Sequence, residues 1–175
     1  NAIAQRNLGV MYRQGEGVLQ DYAEAVRWYQ LAADQGNAIA QRNLGVMYSS
    51  GQGVPQDYAE AVRWYRLAAD QGNADAQFSL GLMYQNGLGV LQDYAEAVRL
   101  YRLAADQGNA FAQTNLGLMY ENGYGVLQDS VTAHMWYNIG AANGNELGGT
   151  NRDIIAEGMT QQAVEQAQAM ARDCM

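Results

Sequence analysis

The 175-residue chain contains no lysine, and its ten basic residues are all arginine, against eighteen aspartates and glutamates. The net charge of −8 disfavours nucleic acid as a partner, because basic residues that neutralise phosphates supply most of that affinity. Without lysine the chain also lacks a Ser-x-x-Lys nucleophile, a phosphate-loop lysine and a Schiff-base lysine. These chemistries are therefore excluded.

Cysteine, histidine and long apolar runs are equally scarce. The single Cys174 cannot form an internal disulfide and is interpreted as an exposed tail thiol. Metal sites need several histidines, cysteines or clustered carboxylates at ligand spacing, and no such spacing occurs. No apolar run approaches the roughly 18–20 residues of a membrane span. We expect no cofactor, no metal and no membrane span.

Asparagine-alanine pairs recur every 36 residues, at Asn1, Asn37, Asn73 and Asn109, without an insertion. A fixed period of this kind is typical of repeat architectures. It predicts one continuous domain with four repeats, residues 1–36, 37–72, 73–108 and 109–144, and capping helices at 145–175. The chain begins inside a repeat, so we expect that sequence upstream of it has been removed.

The first half of each repeat predicts an amphipathic helix. Ala4, Leu8, Met11 and Tyr12 share one face at about 100° per residue. Asparagine at the start of the repeat is a good N-cap, and Gly15 offers a left-handed C-cap.

The second half predicts a second helix. Asp21 and Glu24 have the spacing of a capping box. The apolar stripe of this helix, which we expect to pack in the core, consists of Tyr22, Ala25, Trp28, Tyr29, Ala32 and Ala33. Gly9 is glycine in all four repeats despite a cost of about 0.8–1 kcal/mol relative to alanine, which indicates a close approach between helices. Stacked pairs of this kind form an α-solenoid.

The fourth repeat departs from the pattern, as a last repeat should. His134 replaces the valine of the earlier repeats, Met135 replaces an arginine, and the second helix lacks the capping-box glutamate. Thr160 is a suitable N-cap for a final helix through residues 161–172, whose alanines and glutamines would supply a polar outer face.

These residues resemble the Sel1-like repeat (SLR) family, a relative of the tetratricopeptide repeat. The motif A-x-x-x-L-G-x-M-Y-x-x-G-x-G-V-x-x-D-x-x-x-A-x-x-W-Y-x-x-A-A-x-x-G runs from Ala4 to Gly36 and recurs over about 144 residues. The resemblance implies an all-α fold, a right-handed α-solenoid superhelix of tandem antiparallel helix pairs with the first helices lining the concave side. It also implies adaptor roles in protein complexes, often in secreted or periplasmic bacterial proteins.

The repeats differ from one another mainly at positions 3, 6, 7, 10, 13 and 14, which fall within about 120° of one another on the first helix at 100° per residue. We call this surface the first-helix face and predict that it binds a protein or peptide segment. The predicted binding residues are Arg6, Asn7, Val10, Arg13, Arg42, Asn43, Val46, Asp75, Phe78, Ser79, Leu82, Asn86, Phe111, Thr114, Asn115, Leu118, Glu121 and Asn122.

We expect this face to be basic and polar toward the N-terminus and aromatic and apolar toward the C-terminus. Its asparagine amides could form hydrogen bonds with a peptide backbone. Phe78 and Phe111 would serve as apolar anchors. The alternative is an ordinary solvated face. The loops form a second candidate surface, with Leu88 and Tyr124 exposed at its edge.

Two other functions stay open. A hydrolase acting on a β-lactam or peptidoglycan-like substrate rests on analogy with a cysteine-rich branch of the family, and this chain has only one cysteine. It would have to use His134, which we interpret as a packing or surface residue. A structural module is the other alternative, with end-to-end self-association through an uncapped first repeat.

Overall fold

The computed structural model describes residues 1–174, which contain ten α-helices. Each predicted repeat contains two of them, as expected. The helices are α1 (Ala2–Gln14), α2 (Tyr22–Ala33), α3 (Ala38–Ser50), α4 (Tyr58–Asp70), α5 (Ala74–Asn86), α6 (Tyr94–Ala105), α7 (Ala110–Asn122), α8 (Ser130–Ala142), α9 (Glu146–Ala156) and α10 (Gln161–Cys174). The all-α prediction of tandem helix pairs is confirmed.

The chain divides into two compact units, Asn1–Gln92 and the part from Asp93 onward. In the N-terminal unit each helix packs on the next, from α1 through α5. In the C-terminal unit α6 packs on α7, α7 on α8, and α8 on both α9 and α10. Each unit thus buries its apolar stripes between successive helices.

The helix ends follow the predicted caps, but the capping box is only half formed. Asp57 accepts a hydrogen bond from the backbone N–H of Glu60 at 3.0 Å, as an N-cap should. The Glu60 carboxylate does not return a bond to the Asp57 N–H, which donates instead to the Tyr48 carbonyl at 3.0 Å. Glu60 pairs with Arg63 at 3.0 Å. The prediction of a reciprocal box was wrong because the preceding helix already supplies the acceptor.

The recurrent glycine of the first helix accommodates a tyrosine ring of the second helix. A β-carbon on Gly45 would lie 2.5 Å from Cδ1 of Tyr65, and Gly9 and Gly117 face Tyr29 and Tyr137 in the same way. The close approach that the sequence predicts is confirmed, but the neighbour is an aromatic side chain. Tyr65 itself is buried.

A buried glutamine links the first helices α3 and α7 to the second helix that precedes each of them. Gln41 donates to the carbonyl of Ala33 at 3.2 Å and accepts from the amide of Gln71 at 2.7 Å. In the C-terminal unit Gln113 donates to Ala105 at 3.0 Å. Because buried polar groups need hydrogen-bond partners, these bonds account for the glutamine at position 5 of these repeats.

Packing of the last two helices explains why the fourth repeat departs from the pattern. Asn145 caps α9, accepting from the N–H of Gly148 at 3.2 Å, so the asparagine period continues into a fifth first helix. Helix α10 covers α8, where Met135 and Ile139 pack against Ala167. Met135 therefore replaces an arginine that is exposed in the earlier repeats. Thr160 accepts from the Ala163 N–H at 3.2 Å, as the predicted cap of α10.

The first repeat is less buried than the second. Ala4 is exposed and Leu8 is half-buried, whereas the equivalent Ala40 and Leu44 are completely buried. Helix α2 packs on the side of α3 that carries Ala40 and Leu44, whereas no helix of the described chain packs on the equivalent side of α1. The stripe of α1 is thus partly open to solvent.

We predict that Gly45→Ala destabilises the protein by about 1–3 kcal/mol, the usual cost of overpacking, despite the gain in helix propensity. The added methyl group would meet the buried ring of Tyr65. Urea unfolding followed by circular dichroism measures the change.

The matched control is Gly149→Ala in α9, where the nearest atom to the new β-carbon is the Ala141 β-carbon at 3.7 Å. At this position only the higher helix propensity of alanine should act, and it should raise the free energy of unfolding by about 0.5–1 kcal/mol. Equal effects of the two substitutions would contradict the packing explanation.

Candidate partner-binding surface

The structure places most of the predicted binding residues on the surface of their own unit. The first-helix face comprises positions 3, 6, 7, 10, 13 and 14 of α1, α3 and α5 in the N-terminal unit and of α7 in the C-terminal unit. Asn7, Asp75, Asn86, Phe111 and Asn122 are exposed. Half-buried residues of the predicted set are Arg6, Val10, Arg13, Arg42, Val46, Phe78, Ser79, Leu82, Asn115, Leu118 and Glu121.

Two residues of the predicted set, Asn43 and Thr114, are buried. The Asn43 side chain accepts a hydrogen bond from Arg42 at 3.3 Å. The Thr114 hydroxyl donates to the Ala110 carbonyl at 3.0 Å and lies close to glycines of α8 and α9. Both side chains lie toward the margins of the predicted 120° sector, and in these two repeats the accessible part of the face is narrower than predicted.

The apolar anchors predicted on this face remain accessible. Phe111 is 61% exposed, and Phe78, Leu82 and Leu118 are half-buried. A large side chain exposed to this degree can gain contact area with a partner.

The asparagines of the face bond their own helices. Asn86 donates to the Leu82 carbonyl at 2.8 Å, and Asn122 donates to the Leu118 carbonyl at 2.9 Å. Each of these bonds uses one of the two N–H groups of the amide. Their other polar atoms are the ones that could bond the backbone of a peptide.

The tyrosine that packs on the recurrent glycine extends its hydroxyl to position 13 of the first-helix face. Tyr65 Oη lies 3.2 Å from Ser49 Oγ, and Tyr137 donates to Glu121 at 2.5 Å. In the first repeat this position is Arg13, and the hydroxyl of the fully buried Tyr29 has no hydrogen-bond partner among the described residues. The sequence pattern predicts these tyrosines only as core residues. The variation at position 13, the first-helix position that each tyrosine hydroxyl reaches, is the signal that could have indicated their link to the surface.

Arg13 occupies the position whose equivalents in the second and fourth repeats, Ser49 and Glu121, contact the tyrosine hydroxyl. Burial raises the pKa of Tyr29, and the positive charges of Arg13, Arg42 and Arg6 partly oppose that rise.

The loops carry leucines that are more exposed than the residues predicted at the loop edge. Leu19 and Leu91 are each 91% exposed and Leu127 is 90% exposed. Leu88 is half-buried, contrary to the prediction, and Tyr124 is exposed but stacks on Tyr94 with ring centroids 5.0 Å apart.

A concavity of about 670 Å³ lies in the C-terminal unit between the ends of α6, α8 and α10. Trp136 and Ile139 contribute its apolar wall, and Gln113 and Asn143 contribute polar groups. The exposed thiol of Cys174 lies at its border. The tryptophans are packing residues as predicted: Trp64 is buried, and Trp28 and Trp136 are half-buried.

His134 is a packing residue with 2% of its surface exposed. A side chain so covered cannot reach a substrate as a general base, which removes the residue on which the hydrolase alternative depended. Within residues 1–174, no group of three His, Cys, Asp or Glu side chains is placed to hold a metal ion. None of the helices described is long and apolar enough to cross a bilayer.

A family model of the Sel1 repeat matches the chain four times, at residues 2–37, 38–73, 74–109 and 110–145. The chain belongs to the Sel1 repeat family. Sel1 repeat proteins are generally non-enzymatic scaffolds that mediate protein interactions.

Two solved Sel1 repeat structures resemble nearly the whole chain. One is a protective antigen present in uropathogenic Escherichia coli strains that displays an SLR fold; it is 44% identical over 97% of this chain, with a TM-score of 0.88. The other, a Sel1 repeat protein from Oxalobacter formigenes, is 35% identical over 98% of this chain, with a TM-score of 0.84. This chain spans 37% of the first protein and 73% of the second. No curated protein matches it.

We predict that His134→Val makes the stability of this Sel1 repeat protein less dependent on pH. Burial, followed by the charge of Arg152, lowers the pKa of His134, whereas Asp153 opposes the shift. The unfolded chain therefore binds the proton more tightly than the folded chain, and folding loses stability as the pH falls below 6.5, the ordinary value.

Urea unfolding measured between pH 7.5 and 5.5 tests this prediction. Valine occupies the same position in the first three repeats, so the variant is matched to the fold. Parallel losses of stability in both proteins would show that His134 does not contribute.

Proposed function

We propose that the chain is a scaffold that binds a segment of another protein through the first-helix face, in the N-terminal unit, the C-terminal unit or both. The observation that carries the proposal is the distribution of differences between repeats. Core positions such as Leu44, Gly45 and Met47 recur unchanged, whereas the positions of the first-helix face change along the chain, chiefly between the first two repeats and the last two, and position 13 differs in all four. The stability of the fold requires the recurrent core residues. It does not fix the residues of the first-helix face, which are therefore free to contribute to recognition.

The chemistry of the face supports a protein partner. Arginine, aromatic and aliphatic side chains occur together on it, and arginine and aromatic residues dominate the binding energy of protein interfaces. Arg13 and Arg42 supply charge in the N-terminal unit, and Phe111 supplies an exposed aromatic surface in the C-terminal unit. The asparagines of each unit contribute polar groups.

We expect that replacing Phe78 and Phe111 together by alanine weakens the binding of a native partner roughly 30-fold, in line with the loss of an aromatic hot spot. The partner is first isolated with the wild-type chain from the native host and identified by mass spectrometry. Its dissociation constant is then measured by titration against each variant, and circular dichroism verifies the helix content.

The matched control replaces Leu91 and Leu127 by alanine, which removes two apolar side chains from the loops while leaving the first-helix face intact. This variant should bind the partner as the wild type does. Loss of binding in the control together with full binding by the phenylalanine variant would assign recognition to the loop edge and refute the proposal.

A further inference from the structure

An arginine covers the tryptophan of the second helix in each of the first two repeats. The guanidinium of Arg27 lies 4.7 Å from the ring centroid of Trp28, and that of Arg63 lies 3.9 Å from the ring centroid of Trp64. Such contacts are favourable because the face of an aromatic ring carries partial negative charge. In both repeats the chain itself supplies the cation for its tryptophan.

The fourth repeat keeps the tryptophan but lacks the arginine. Trp136 follows Met135, whose side chain is buried with Ala167 of α10. Within residues 1–174 no arginine lies over the Trp136 ring. Trp136 is half-buried although α10 packs on its helix, whereas Trp64 is only 3% exposed. Part of the Trp136 side chain is therefore open to solvent and has no cation.

Trp136 lines the concavity of about 670 Å³ between the ends of α6, α8 and α10, which we call the Trp136 cavity. Ala105 and Ile139 add apolar surface to it, and Asp106 adds a carboxylate. The volume falls within the range of about 300–1,000 Å³ that is usual for ligand pockets. None of the residues predicted on the first-helix face lines this cavity, so it is a separate site.

The carboxylate of Asp106 is not neutralised by the protein. Within the described chain Asp106 forms no ion pair. Arg102, one helical turn earlier on α6, donates to the Tyr120 hydroxyl at 2.6 Å. In the first repeat the equivalent Asp34 accepts a hydrogen bond from Gln30 at 2.7 Å. An unpaired carboxylate and an uncovered indole in one cavity both attract a cation.

The charge of the C-terminal unit also favours a cation. This unit carries ten aspartates and glutamates against four arginines. Its summed field attracts positively charged ligands and repels anions. The ligand that fits the Trp136 cavity is therefore cationic and has an apolar portion for the walls.

We propose that the Trp136 cavity binds an arginine side chain of another protein. The guanidinium would lie over the indole of Trp136, as Arg63 lies over Trp64, and would donate to the Asp106 carboxylate. A planar guanidinium can make both contacts at once, and its apolar stem can pack on Ile139. Asp106 is exposed and Trp136 is half-buried, so a side chain from outside can reach both. This site goes beyond the function proposed for the first-helix face.

The first experiment adds the peptide acetyl-Gly-Arg-Gly-amide to the chain and follows the indole Nε1–Hε1 NMR signals of its three tryptophans. We expect the Trp136 signal to shift and the signals of Trp28 and Trp64 to stay, because those rings already have an arginine. The spectrum of Trp136→Leu assigns the signal. Equal shifts of all three signals, or no shift of the Trp136 signal, would overturn the proposal.

Two reference peptides test the chemistry of the ligand. Citrulline in place of arginine keeps the shape and the N–H groups without the charge, so it should bind about fivefold more weakly or worse. A lysine peptide should also bind more weakly, because an ammonium group lacks the planar fork of donors. Equally tight binding of either reference would refute the assignment to arginine.

Trp136→Leu tests the indole, with the affinity measured from the backbone amide shifts of Ala105 and Ala142. Binding of the arginine peptide should weaken by about fivefold or more. Leucine occupies the same position in the third repeat, as Leu100, so the substitution should preserve the fold, which circular dichroism verifies. The matched control is Trp28→Leu, which should bind the peptide within about twofold of the wild type. Equal losses in the two variants would contradict a site at Trp136.

Asp106→Asn tests the carboxylate by the same measurement. It should weaken binding of the arginine peptide by about fivefold or more, because a charge-assisted hydrogen bond is lost. The control Asp34→Asn removes the same charge at the same position of the first repeat. It should leave binding within about twofold, since long-range charge effects are largely screened at 0.15 M salt. An equal loss in both would show that binding reflects overall charge and would refute the site.

Discussion

The contact between a glycine of the first helix and a tyrosine ring of the second helix constrains the whole helix pair. Because Gly45 has no β-carbon, the ring of Tyr65 lies directly against the helix backbone. The ring then fills the space between the two helices, and the small Ala61 and Ala68 are completely buried on the same helix. Larger side chains at these positions would separate the pair and leave voids, which protein interiors rarely contain.

The same contact connects the core with the surface. A tyrosine ring held against the glycine places its hydroxyl at position 13 of the first helix, where it meets a residue that differs between repeats. A change at that single position therefore alters both the polar environment of the tyrosine and the chemistry of the face. In the first repeat the residue is Arg13, and the result is a basic site beside a buried hydroxyl.

Capping of the C-terminal unit follows from local replacements that leave the repeat length unchanged. Met135 stands where earlier repeats expose an arginine, and α10 covers it. Gly148 allows α9 to approach α8, since a β-carbon there would lie 2.9 Å from the Tyr137 carbonyl oxygen. The outer side of α10 carries exposed glutamines, among them Gln161, Gln162 and Gln166. Helix α10 therefore covers the apolar surface of α8 and presents a polar surface to solvent.

Sequence alone determined the helix pairs of the four repeats, most of the caps and the core stripe, because each depends on interactions between residues close in the chain. The fixed spacing of Asn37, Gly51 and Asp57 is enough to locate the ends of the helices. Sixteen of the eighteen predicted binding residues are exposed or half-buried. Recognition by that face is a proposal, since periodicity identifies a surface and not its ligand.

Tertiary structure decided which residues of that face are accessible and how the polar groups are paired. Asn43 and Thr114 have the spacing of surface residues but are buried, and Thr114 lies against Gly140 of α8 and Gly148 of α9. The capping box of Asp57 is incomplete because Tyr48, on the preceding helix, takes the N–H bond. Contact of the Tyr65 hydroxyl with Ser49 joins residues of two helices. Helical periodicity describes one helix at a time, so it cannot reveal neighbours that only packing brings together.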